Sequence, residues 1–154
     1  MKRKELEENG RLCLDFGKLK KITRLGLRVL PVVVQDWQTK EVLLLAYANA
    51  KAVSLTVERR TAVFWSTSRN ELWIKGETSG CVLKIKDVRV NCEQNSLLYL
   101  VEPVGGCGAC HTKDRHGSYR KSCYYRKINM IKLGLSKKSR RPVKSMFFLS
   151  QCSL

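Results

Sequence analysis

Regular alternation of apolar and polar residues begins at Pro31. The run Pro31-Val32-Val33-Val34 is β-branched, Gln35-Asp36-Trp37-Gln38-Thr39-Lys40 is polar, and 41–47 (EVLLLAY) turns apolar again. Two strands joined by a turn, a hairpin, are predicted. Asn49 stands where a helix N-cap is wanted, and Ala52, Val53, Leu55, Thr56 and Val57 supply a helical apolar face before Arg59-Arg60 close it. This helix is expected to pack on the hairpin. Residues 61–66 and 71–75 read as a second hairpin around Thr67-Ser68-Arg69-Asn70, with Trp65 and Trp73 near the strand ends. Cys81, Leu83 and Ile85 alternate with other residue types, Val88, Val90 and Cys92 do the same, and 97–101 is a compact apolar strand. About five to seven strands and one or two helices predict an α+β fold with mainly antiparallel sheets.

The flanks differ from this middle. The first thirty residues show no clean period and predict an extension or weak helix; beyond Arg126 the chain is basic, then briefly apolar, and carries no motif. A domain over 26–126 is expected, between a basic extension at 1–25 and a basic tail at 127–154. A chain of 154 residues fits one domain with a proper core.

The net charge of +17 first suggests a nucleic-acid binder. Its distribution argues against that. Residues 1–30 hold nine Lys/Arg against four acids and 126–154 hold eight against none, while 31–125 hold thirteen against nine. The domain itself suits an anionic small molecule, and the ends are expected to be solvated tails. No apolar run approaches a membrane span, and MKRKELEENG has no secretory h-region, so a cytoplasmic protein without membrane contact is expected. In that compartment seven cysteines, an odd number, predict thiols or metal ligands rather than disulfides.

Candidate chemistry gathers in the glycine-rich stretch after Pro103. Cys92, Cys110 and Cys123 are candidate metal ligands, because thiolates suit Zn²⁺ and three protein ligands leave a fourth place open for catalysis. On spacing alone, Cys107, Cys110 and Cys123 with His111 or His116 suit a closed structural zinc knot about equally. His111, beside Cys110, is of a residue type suited to general acid/base work near neutral pH. Trp65 and Trp73, with Arg69 and Lys75 nearby, could line a nucleotide cleft, although core packing is the commoner role of two such tryptophans.

Three blocks, LPVVVQDWQTKEVLLLAYAN, FWSTSRNELWIKGETSG and GACHTKDRHGSYRKSCYYR, resemble in order the signature blocks of the phosphoribosyl-AMP cyclohydrolase family, over roughly 26 to 126. The resemblance implies small β-sheets with a capping helix, an intertwined homodimer with active sites at the subunit interface, and hydrolysis of the N1–C6 bond of a phosphoribosylated purine nucleotide in histidine biosynthesis. It implies zinc on Cys92, Cys110 and Cys123, with His111 as the proton shuttle. It also implies a cleft lined by Trp65, Ser66, Arg69, Trp73, Lys75, Glu77, Thr78 and Ser79, and it leaves Cys107 a spare thiol.

The resemblance departs in two places. Family members usually carry three alternating aspartates for Mg²⁺ around the first zinc cysteine; here Asn91, Glu93 and Asn95 stand there, a degenerate site whose magnesium affinity should fall heavily. Between Cys110 and Cys123 lie twelve residues, about twice the family's usual number, and His116 within them would close the metal site if it became a ligand. The alternatives are an enzyme of the same fold acting on another purine-like nucleotide, or a zinc-stabilised nucleic-acid-binding module.

Overall fold

The structure, a computed structural model, describes residues 17–128; the expectations for 1–16 and 129–154 lie outside the described residues. Residues Ile22–Tyr125 form one compact unit. The elements in order are α1 (Lys18–Arg24), β1 (Leu30–Asp36), β2 (Val42–Ala48), α2 (Ala50–Arg59), β3 (Val63–Ser66), β4 (Glu71–Ile74), β5 (Leu83–Val90) and β6 (Leu97–Pro103). The expected α+β class is what is observed. No helix among the described residues is long and apolar enough to cross a membrane.

The larger sheet has the order β2-β1-β6-β5, and β3 and β4 make a separate two-stranded hairpin. Three pairings are antiparallel, while β1 and β6 run parallel, with Val32 opposite Leu97 and Asp36 opposite Val101. Alternation along a strand carries no information about a partner sixty residues away, so that parallel pair was invisible in the sequence. The two alternating stretches around Ile85 and Val88 are one strand, β5, whose register shifts between Ile85 and Asp87.

Burial follows the pleat. Val32 and Val34 on β1, Leu83 on β5, and Tyr99 and Val101 on β6 are sealed from solvent and meet Phe64 of β3 and Ala52 of α2 in one core. Phe64 contacts both Trp73 (ring centroids 5.3 Å apart) and Tyr99 (6.0 Å).

Asn49 caps α2 as expected, accepting a 2.8 Å bond from the Ala52 amide, and Arg60 ends the helix in the left-handed conformation. The predicted apolar face is narrower than the pattern suggested. Ala52 and Thr56 are buried, whereas Val57 is 61% exposed, because it points away from β2 and β3. Thr56 fits the core by bonding: its hydroxyl lies 2.8 Å from the Ala52 carbonyl and 3.1 Å from the Val63 carbonyl, and accepts the Val63 amide at 3.1 Å.

Candidate active site

Two neighbouring backbones build the thiol pair. In β2 the register against β1 shifts so that Val34 faces Leu44 while Gln35 faces Val42, leaving Leu43 as the extra residue. Because β2 is an edge strand, carbonyls there remain available to another segment. The Leu43 carbonyl accepts the Cys123 amide at 2.7 Å, and the Ser122 hydroxyl bonds the Val42 carbonyl at 2.8 Å. Returning from Cys123, the chain lies against 109–110, where the Ala109 amide donates to the Lys121 carbonyl at 3.0 Å and the Cys110 amide to the Arg120 carbonyl at 3.1 Å. Gly108 makes this approach feasible, since a Cβ there would stand 2.0 Å from the Arg120 carbonyl oxygen.

Cys110 is thereby buried, and its free thiol is hydrogen-bonded to that of Cys123. That bond is the main cause that lowers the Cys110 thiol to about 5, against the opposing effect of burial; Thr112, whose hydroxyl lies 3.0 Å from the sulfur, and the charge of His111 add to it. Lys75, only 4% exposed, donates from Nζ to the Cys81 carbonyl at 3.2 Å. Burial pulls its ammonium below the ordinary lysine value, and the electrostatic pull of nearby Cys123 and Cys110 partly restores it.

Arg69, Trp73, Lys75, Glu77, Thr78 and Ser79 line one cleft of about 280 Å³, and His111 opens into it. Six of the eight expected cleft residues are thus brought together with the expected acid/base residue. Trp65 and Ser66 are not among that cleft's lining; Trp65 instead borders a separate groove with Leu27, Leu30 and Val53.

Cys92 does not join Cys110 and Cys123 within the chain. It is an exposed free thiol just after β5, and no group of three or more His, Cys, Asp or Glu side chains placed to hold a metal occurs among the described residues. Two adjacent thiols, one readily deprotonated, fit a soft divalent cation as a partial donor set that needs a donor from elsewhere. Around Cys92 the expected magnesium residues bond one another: Asn91 Nδ2 donates to Asn95 Oδ1 at 2.8 Å, Asn95 Nδ2 to Glu93 Oε2 at 2.7 Å, and Asn91 Oδ1 accepts the amides of Asn95 and Ser96. With two amides and one carboxylate knitted into a turn, this segment does not fit a hard cation that prefers carboxylate oxygen. His116 sits exposed at a hairpin tip, its Nε2 accepting from Arg115 Nε at 2.9 Å.

Two cysteine expectations are overturned, that the cysteines are thiols or metal ligands rather than disulfides and that Cys107 is a spare thiol. Cys107, expected to be a spare thiol, forms a disulfide with Cys81. Leu83 pairs with Pro103 where β5 begins and β6 ends, so the segments just outside that pair run side by side and bring the two Cα atoms to 5.4 Å, within bridging range. Residues 26 apart carry no spacing signal for such a bond.

Residues 44–125 match the family described as phosphoribosyl-AMP cyclohydrolase. The phosphoribosyl-AMP cyclohydrolase of Archaeoglobus fulgidus is 50% identical over 100 residues, covering 65% of this chain and 85% of its own length. Those of Methanosarcina mazei (47% over 116 residues, covering 75% and 87%) and Streptococcus mutans (46% over 117, covering 76% and 94%) are similar to it as well. The chain belongs to the phosphoribosyl-AMP cyclohydrolase family. The expected enzyme class, a hydrolase acting on a cyclic amidine C–N bond, is that of this family.

Sequence reasoning missed two residues beside the thiol pair and the cleft. Thr112 holds the Cys110 sulfur with both its hydroxyl and its amide, and Tyr119 lines the cleft. For Thr112 a usable signal was the hydroxyl residue two positions after a metal-type cysteine. Tyr119 gave none beyond being aromatic in a polar stretch.

Proposed function

We propose that the protein hydrolyses the N1–C6 bond of the adenine ring of 1-(5-phosphoribosyl)-AMP, a step of histidine biosynthesis, at a zinc site shared between two copies of the chain. The observation that carries this reading is the thiol pair of buried Cys110 and exposed Cys123, electrostatically coupled to Lys75 and next in sequence to His111, which faces the cleft. Cys110 and Cys123 would hold the zinc together with Cys92 of a second copy, because Cys92 is exposed and stands apart within its own chain. When bound, zinc supplies Lewis acidity that lets a water attack at neutral pH.

The other roles fall to the chain's own side chains. His111 accepts the proton of the attacking water and returns one to N1 as the N1–C6 bond breaks. Arg69 offers a cation to a substrate phosphate, Trp73 an aromatic face to the base, and Glu77, Thr78 and Ser79 polar partners to the sugar. Lys75, anchored on the Cys81 carbonyl, offsets the charge of the two thiolates. Magnesium at 91–95 has no part, given the bonding of those side chains.

The test follows ring opening of phosphoribosyl-AMP by ultraviolet absorbance with zinc-loaded protein, with and without Mg²⁺, beside Cys110→Ala. Turnover that needs Cys110 and is indifferent to Mg²⁺ supports the reading; silence at full zinc occupancy defeats it. Mixing the separately inactive Cys92→Ala and Cys110→Ala chains tests the shared site. Random re-pairing of a two-fold dimer restores about a quarter of the activity, and a mixture that stays inactive excludes sharing.

A further inference from the structure

We propose that Tyr119 is a substrate-contacting, specificity-determining residue whose ring forms one wall of the nucleotide cleft, an inference that rests on the cyclohydrolase reading of that cleft. Tyr119 sits on the stretch between Cys110 and Cys123, which folds back on itself as a small hairpin. The Arg120 amide donates to the Thr112 carbonyl at 3.1 Å, Lys113 and Tyr119 form a β-bridge, and the Asp114 amide donates to the Ser118 carbonyl at 2.8 Å. Its tip is tied by Asp114, whose Oδ1 accepts the amides of His116 at 2.8 Å and Ser118 at 3.0 Å, while Gly117 takes the positive φ of 80° that the turn demands. The two feet of the hairpin are the thiol pair. Whatever the hairpin presents is therefore set in register with Cys110, His111 and Cys123.

What it presents is a half-buried ring. Tyr119 lines the cleft together with Trp73, Lys75 and His111, and it also borders a second cavity of about 360 Å³ with Asp36, Trp37, Cys107 and Lys121. Tyr119 thus borders both spaces. Lys113 Nζ lies 5.1 Å from the ring centroid, where a cation is attracted to the face and limits rotation of the ring. The cleft then has two aromatic residues, Trp73 from β4 and Tyr119 from the hairpin. An aromatic wall is a sequence-tolerant partner for a purine base, and a phenol fixed beside it adds a donor at the base edge. Tyr119 is not among the buried core residues.

The experiment compares Tyr119→Ala and Tyr119→Phe with the wild type by steady-state turnover of phosphoribosyl-AMP and, independently, by titrating AMP against intrinsic tryptophan fluorescence. For Tyr119→Ala, KM for phosphoribosyl-AMP and Kd for AMP are expected to rise about tenfold, the scale of one lost base-stacking ring, with kcat within about twofold and the thermal midpoint unchanged. Tyr119→Phe is expected to restore both constants to within about threefold. A folded Tyr119→Ala with wild-type KM and AMP affinity overturns the inference while leaving the cyclohydrolase reading intact. Wild-type protein that binds AMP through Tyr119 but never opens the purine ring sinks that reading and keeps the wall. Wild-type protein that does neither sinks both.

Discussion

Breaking the Cys81–Cys107 bridge should weaken the fold by an amount that its place in the chain fixes. The cross-link closes a loop of 26 residues, and the loss of loop-closure entropy from the unfolded chain for that length comes to about 3.5 kcal/mol at 25 °C. Cys81 is also 2% exposed, so a serine there leaves a buried hydroxyl that costs about 1 to 3 kcal/mol more. Cys107 is less deeply placed, and its serine variant should lose little beyond the bridge itself. The decisive quantity is coupling: Cys81→Ser and Cys107→Ser should each remove the bridge, so the double variant should be barely less stable than Cys81→Ser alone. In urea, with a slope near 1.5 kcal/mol/M, the bridge corresponds to a midpoint shift of about 2 M. Alkylation of the denatured, unreduced protein followed by mass spectrometry establishes beforehand that 81 and 107 carry no free thiol. Strictly additive single variants, or two alkylated sulfurs at those positions, would refute the reasoning.

Other outcomes follow from single contacts. Thr56→Val keeps the shape but leaves the buried Val63 amide without its 3.1 Å acceptor, and should cost about 1 to 3 kcal/mol in urea unfolding. Asp36 is held below the ordinary carboxylate value: burial opposes this, but the amides of Thr39 and Gln38 and the charge of Lys121 prevail. Because its folded pKa is depressed, Asp36 stabilises the fold above the unfolded value of about 3.9 and loses that contribution as pH falls through the folded one; the urea midpoints of Asp36→Asn and wild type should differ at pH 7 and converge below about pH 4. A Cβ at Gly108 would meet the Arg120 carbonyl at 2.0 Å, so Gly108→Ala should part the two segments that bear Cys110 and Cys123. The loss there is about 1 to 3 kcal/mol of stability, together with weaker zinc retention in dialysis against a chelator.

Local order was legible in the chain because it depends on neighbours in sequence. The hairpin of Val32–Val34 with Leu43–Ala46, the cap at Asn49 and the helix end at Arg60 each follow from periodicity or from one residue's hydrogen-bonding capacity. The resemblance also named Cys110 and Cys123, which the fold pairs, and Arg69, Trp73, Lys75, Glu77, Thr78, Ser79 and His111, which line one cleft. Val57 looked apolar enough to be core and is exposed, since a helical stripe shows which residues share a face but not how wide a face the neighbouring strands cover.

Tertiary structure alone decided the remainder, because it concerns pairs far apart in the chain. The parallel alignment of Val32 with Leu97, the bulge at Leu43 that offers its carbonyl to Cys123, and the bridge from Cys81 to Cys107 all join segments whose residues do not encode one another's position. The same holds for the separation of Cys92 from the other two cysteines. Residue type determined that these side chains could bind a metal or form a bridge; only closure of the sheet, which carries the ends of β5 and β6 to the same edge of the molecule, determined which of them met.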